Sequence, residues 1–209
     1  MEPAPRDHRP ARRDPRLGRQ VRRADPERGD LLKLVATEID GAFVVELAPH
    51  ADERGFFARQ WCARELAAAG LVADLAQVSL SFNARKHTLR GMHYAAEPHA
   101  ETKLVHCVRG AIFDVLVDLR PGPGRFRWIG VELSAANHRM LYVPEGVAHG
   151  FLTLEDASDV QYFISRAFEP SAARGVRYSD PAFAIRWPSA PAVISPRDAG
   201  YPDVSEQAP

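Results

Sequence analysis

The sequence predicts an all-β protein, an antiparallel sandwich or barrel, with one short helix near residues 62–71. Three observations point there. From about residue 31 onward, short apolar and β-branched runs recur between turn residues at the spacing of strands. No alternation of strands with long helical patterns, the rhythm that builds parallel sheets, interrupts them. The 17 Pro and 14 Gly among 209 residues favour many short elements joined by turns.

Residues 1–30 hold nine Arg, six acidic residues and five Pro with hardly any large apolar side chain. Such a segment buries too little surface to offset its ordering entropy, so a disordered tail is expected there. Its interleaved acids argue against a nucleic-acid or transit segment. A single domain is expected over 31–209. Its first strand signal is the apolar run 42–47, followed by alternation around Phe57 and Arg59 in 54–61. The alanine-rich stretch 62–71 reads as the helix, closed by Gly70. Strands follow at 75–82, 88–94, 103–108 and 111–119, the last two separated by Arg109-Gly110, a tight hairpin signal. Further strands are expected at 128–133, 140–143, 148–154 and 160–166. No internal repeat is evident.

Lys+Arg and Asp+Glu number 27 each. No overall field therefore draws nucleic acid or an anionic membrane, and neither is expected as a partner. Phosphate binding, if present, must be local. Cys62 and Cys107 have neither metal-ligand spacing nor a disulfide framework, and read as reduced thiols. The arginine-rich start lacks the apolar core of a secretory signal, and no apolar run is long enough to span a bilayer. A cytoplasmic protein is expected.

The segment Tyr142-Val-Pro-Glu-Gly-Val-Ala-His149-Gly-Phe resembles the second half of the cupin signature. Proline and glycine set a turn there, and the histidine then points from a strand into a barrel. The stretch matching the first half reads Arg90-Gly-Met-His93-Tyr94-Ala and lacks that signature's second histidine. His99 and Glu101 lie in a Pro-containing loop rather than at strand spacing. A three-imidazole metal site is thus incomplete, and neither metal nor other cofactor is expected. What remains is a polar set of Arg90, His93, Lys103, His149, Tyr162 and Asp198. Alternation through Lys103-Leu-Val-His-Cys-Val leaves two readings: either Lys103 faces inward with Val105 and Cys107, or His106 does with Leu104 and Val108. An inward lysine needs an anion or a polarised carbonyl to meet, because an unpaired buried ammonium is costly.

Seven motifs then occur in order: Asp52-Glu-Arg54-Gly-Phe-Phe, Thr88-Leu-Arg-Gly-Met-His93-Tyr, Lys103-Leu-Val, Phe113-Asp-Val-Leu-Val-Asp118-Leu-Arg, Leu141-Tyr-Val-Pro-Glu-Gly-Val-Ala-His149-Gly-Phe, Tyr178-Ser-Asp-Pro and Ile194-Ser-Pro-Arg-Asp198. Together, over about residues 33–204, the chain resembles the dTDP-4-dehydrorhamnose 3,5-epimerase family. The resemblance implies a cupin-type double-stranded β-helix, a jelly-roll barrel, assembled as a homodimer and working without metal. Its substrate would be a nucleoside-diphosphate 4-keto-6-deoxy sugar, epimerised at C3 and/or C5.

By the same resemblance His93 is the base, with Asp198 as its dyad partner, and Tyr162 is the acid on the opposite face. Lys103 stabilises the oxyanion at C4, with His149 in the same pocket. Arg54 and Arg90 match positions that grip the diphosphate, and Gln77 a polar position of the nucleotide site. The chain also departs from the family's pattern. Phe168 stands where a second tyrosine follows the catalytic one, Ala95 replaces a glutamine, Ser79 an asparagine, and Arg59 lies where an acidic residue is common nearby. These changes spare the proton-transfer set but alter the sugar and nucleotide surroundings. The alternatives are a single-position epimerase, a 3,4-ketoisomerase on a related sugar nucleotide, and a non-catalytic sugar-nucleotide-binding cupin.

Overall fold

The structure, a computed structural model, describes residues 32–204. The tail expected at 1–30 lies outside the described residues. Short runs of alternating side chains fold into β1 (Lys33–Ala36), β2 (Phe43–Glu46), β3 (His50–Asp52) and β4 (Gly55–Phe57). Helix α1 (Ala63–Ala68) comes next, then β5 (Gln77–Asn83), β6 (Thr88–Ala95), β7 (Lys103–Arg109) and β8 (Ala111–Asp118). The remainder is β9 (Trp128–Ser134), β10 (Met140–Val143), β11 (Val147–Thr153), β12 (Ser158–Ile164), β13 (Ala173–Gly175), β14 (Val193–Ile194) and helix α2 (Pro196–Ala199).

Two sheets face each other. One runs β1-β2-β10-β7-β12-β5 and the other β13-β6-β11-β8-β9, with β14 added parallel to β6. Between them lies the main core. Val105, Cys107, Leu141 and Val160 come from the first sheet, and Ile112, Leu116, Leu133 and Phe151 from the second. Several strands bury both faces. The outer side of the second sheet packs Met92, Val115 and Ala148 under Phe183 and Trp187 of the C-terminal segment. That of the first packs Val45, Leu104 and Met140 under Leu32, Trp61 and Leu71. The architecture is the jelly-roll barrel that the resemblance implied. Among the described residues no helix is long and apolar enough to cross a membrane.

Local chemistry explains the element ends. Helix α1 is shorter than the run 62–71 because Gly70 turns left-handed at φ 78°. The Leu71 and Gly70 amides then donate back to the Leu66 and Ala67 carbonyls at 3.0 Å each, a Schellman closure. The alternation expected over 54–61 is interrupted. Asp52 accepts the Arg54 amide at 2.8 Å, so β3 and β4 make a small separate hairpin that ends at Phe57.

The tight hairpin expected at Arg109-Gly110 is also corrected. β7 pairs with β10 and β12, whereas β8 pairs with β9 and β11. Gly110, at φ 74°, instead carries the chain from one sheet to the other. The reason is burial: Cys107 and Ile112 flank the turn and belong to the same inter-sheet core, which they reach from opposite sides.

One close approach fixes the site's backbone. A Cβ on Gly91, whose φ is 135°, would lie 2.5 Å from the Gly150 Cα of the neighbouring strand. Gly91→Ala combines backbone strain with overpacking, so it should destabilise the fold by about 2–5 kcal/mol. Denaturant unfolding measures this, and a wild-type midpoint would show that the two strands can part without cost.

Candidate active site

A cavity of about 320 Å³ opens between the sheets, lined by Arg90, His93, Lys103, His149, Tyr162 and Phe168 among others. Strict alternation would separate Arg90 from His93. The register instead shifts beside Gly91: His93 opposes His149, while Arg90 opposes Phe151. Three residue steps on β6 therefore face two on β11, and the bulge turns both side chains to the cavity. Arg90 is held there by its Nε–H, which donates to Asn83 Oδ1 at 2.8 Å.

His93 Nε2 lies 2.8 Å from Asp198 Oδ1, and only the imidazole is appreciably open, at 38% side-chain exposure against 7% for Asp198. Parallel pairing of β14 with β6 brings α2 alongside. Ser195 caps that helix, its Oγ accepting the Asp198 amide at 3.0 Å, and Gly91 N–H donates to Asp198 Oδ2 at 3.1 Å. Burial pushes the Asp198 carboxyl upward, but the His93 hydrogen bond and charge, the Gly91 amide and Ser195 outweigh it and hold it below its ordinary value. An ionised carboxylate only accepts. In the neutral imidazole Nε2 therefore carries the proton, and Nδ1 keeps the basic lone pair.

Lys103 faces inward with Val105 and Cys107, which settles the two readings of that strand. Its side chain is 13% exposed, and its ammonium lies 3.2 Å from Glu101 Oε1. That partner explains how an ammonium is tolerated there. His149 Nε2 lies 2.6 Å from Asp114 Oδ1, and the Asp114 side chain is wholly buried. Burial raises the Asp114 carboxyl, with His149 and then Lys103 working against it. Two imidazoles thus stand side by side across the β6–β11 pair, each backed by a carboxylate.

Tyr162 projects from β12 on the facing sheet, edge-on to His149 with ring centroids 6.0 Å apart. Loss of water and then the Asp114 charge push its hydroxyl far above the ordinary tyrosine value, against the pull of Arg90. At neutral pH it is a protonated donor. A basic nitrogen on one sheet, a phenol on the other and an ammonium beside them suit proton transfer next to a developing oxyanion. Among the described residues, no three His, Cys, Asp or Glu side chains are grouped to hold a metal ion.

Other residues singled out from the sequence sit elsewhere. Gln77 is outside the cavity lining, and its Oε1 accepts the Phe168 amide at 3.0 Å. Arg54 is on the β3–β4 hairpin, ion-paired to Asp52 with 83% of its side chain exposed, away from the chain's own cavity. Asp114 and Glu101 had no assigned role. Asp114 was detectable as a carboxylate sharing the inward face of Ile112 and Leu116. Glu101 acts from its loop, where no strand periodicity marks it. Arg174 and Glu169 also line the cavity without any sequence signal, as does Arg197, which lies in the last of the seven motifs but carries no role there.

A family model described as dTDP-4-dehydrorhamnose 3,5-epimerase matches residues 36–206. The dTDP-4-dehydrorhamnose 3,5-epimerase of Shigella flexneri is 38% identical over 169 residues, 80% of this chain and 93% of that protein. The dTDP-4-dehydrorhamnose 3-epimerase of Streptomyces niveus is 37% identical over 169 residues, 80% of this chain and 81% of that one. Among solved structures, the dTDP-6-deoxy-D-glucose-3,5-epimerase of Legionella pneumophila, in complex with dTDP-4-keto-L-rhamnose, superposes with a TM-score of 0.79. It shares 34% identity, over 85% of this chain and 95% of its own.

Proposed function

The chain belongs to the dTDP-4-dehydrorhamnose 3,5-epimerase family, and on that premise we propose how its residues carry out the reaction. It is an isomerase that epimerises a nucleoside-diphosphate 4-keto-6-deoxyhexose at C3, C5 or both. His93 Nδ1 removes the proton from a carbon beside the C4 ketone. The C–H electron pair moves into the new double bond, and the carbonyl pair moves onto O4. The Lys103 ammonium stabilises that enolate oxygen, with His149 in the same pocket. Tyr162 then delivers its proton to the opposite face of the carbon as the O4 pair re-forms the carbonyl. It is reprotonated from solvent, to which His93 releases the proton it took.

The observation that carries this reading is the opposition of His93 and Tyr162, base and acid, from facing sheets across one cavity. Inversion needs that arrangement, whereas a ketone shift returns the proton to a neighbouring atom. Arg90 is available to the diphosphate at the cavity wall. Phe168, at the rim, carries no hydroxyl and bears on which carbons invert. NMR of the product formed from dTDP-4-keto-6-deoxyglucose tests this. Inversion at C3, at C5 or at both fits; a carbonyl moved to C3 or an unchanged sugar does not. In Tyr162→Phe, inversion should fall by about 10²-fold while exchange of the same proton with solvent falls less. Equal losses in both would remove Tyr162 from the acid role.

A homodimer is part of the same reading. Val78, Leu80 and Phe82 form an exposed apolar row on edge strand β5, and Phe57 is 78% exposed on the β3–β4 hairpin. Such surface suits a second copy, which is also what would bring Arg54 to a phosphate. The free Cys62 and Cys107 suit a reducing compartment, which supports the reading of a cytoplasmic enzyme.

A further inference from the structure

We propose that Tyr201 is a positioning residue that fixes the plane of the His93 imidazole, an inference that rests on His93 being the base. The hydrogen bond to Asp198 holds one ring nitrogen. It leaves the ring free to rock about that contact, because the terminal torsion of histidine has broad wells. A second contact is needed, and Tyr201 makes it. The two rings meet edge to face, with centroids 5.9 Å apart and planes at 73°.

Space for the tyrosine is built into the neighbouring strand. The residue of β13 directly opposite His93 in register is Gly175. A Cβ at that position would overlap the Tyr201 ring. The strand beside the base therefore has a notch, and the ring fills it.

The segment that carries Tyr201 is itself pinned. Arg197 Cζ stands 5.7 Å from its ring centroid. Arg177 Nε–H donates to the Tyr201 carbonyl at 3.2 Å and pairs with Asp203 at 3.0 Å. The Val204 amide donates to Asp180 Oδ2 at 2.7 Å. One short stretch after β14 thus supplies His93 with both its carboxylate and its ring contact. The Tyr201 hydroxyl oxygen is buried without a hydrogen-bond partner among the described residues. The ring, not the hydroxyl, makes the contact that matters.

The test compares steady-state kinetics of Tyr201→Ala, Tyr201→Phe, Gly175→Ala and the Gly175→Ala/Tyr201→Ala double variant on dTDP-4-keto-6-deoxyglucose, with His93→Ala as control. All are assayed well below their unfolding midpoints. Tyr201→Ala and Gly175→Ala should each lower kcat by roughly 10–100-fold with KM little changed, since a misaimed base slows chemistry without weakening substrate binding. Tyr201→Phe should keep wild-type kcat. The two losses should not add in the double variant, because both remove one contact. Wild-type kcat in Tyr201→Ala, an equal loss in Tyr201→Phe, or a loss confined to KM would overturn the inference. The control separates the two levels. Undiminished turnover in His93→Ala would remove the base assignment itself, whereas its loss alongside a normal Tyr201→Ala would remove only the role of Tyr201.

Discussion

Replacing His93 with alanine is expected to lower turnover, and exchange of the sugar proton with solvent, by about 10²–10⁴-fold, the span of a lost general base. Exchange and inversion fall together, because no enolate forms for Tyr162 to protonate. The fold should survive. His93 is the partly exposed member of its pair, and the β6 backbone is held by β11, β13 and β14 independently of the imidazole. Exchange within tenfold of wild type in a well-folded His93→Ala would move the base elsewhere, and the neighbouring His149–Asp114 pair would be the first place to look.

Asp198→Asn should come close to the same loss, about 10²-fold or more, without removing the imidazole. The Gly91 amide explains why. It donates to the oxygen at the Oδ2 position, and an asparagine must keep its carbonyl there. Its NH2 group then occupies the Oδ1 position and donates to His93 Nε2, forcing the ring proton onto Nδ1. The basic lone pair is turned from the substrate to the amide. The same substitution has a stability signature. Asp198 titrates below its ordinary value in the folded chain. Its contribution is therefore complete above the ordinary carboxylate range and disappears as pH falls through the lowered value. The gap in thermal midpoint between wild type and Asp198→Asn should be present at neutral pH and close on acidification. A gap that widens in acid would contradict the assigned direction.

Much of the barrel was legible because period-two alternation is a local signal. The strands at β6, β8 and β10 fall within a residue or two of where apolar runs predict them. A glycine inside a strand is a local signal for a bulge, and Gly91 stands beside the register shift that unites Arg90 with His93. What local patterns do not carry is which sheet a strand joins. Arg109-Gly110 has hairpin chemistry, yet the flanking strands part into different sheets because both must reach one core.

Long-range partners were equally hidden. Asp198 is 105 residues from His93, and Ser-Pro-Arg-Asp alone reads as a surface turn; only the ordered family motifs pointed to it. Asp114 and His149, 35 residues apart, meet only once β8 and β11 pair. Arg54 matches its motif but lies outside the chain's own cavity, since its position depends on the hairpin that presents it.

The most direct measurement is isotopic. Wild-type protein is incubated with dTDP-4-keto-6-deoxyglucose in D2O while NMR follows C3 and C5. Enolate chemistry by His93 and Tyr162 requires deuterium to appear at one or both carbons flanking the ketone, with inversion at the same carbon, and requires both to be lost in His93→Ala. Absence of deuterium from C3 and C5 in the wild-type reaction would contradict it.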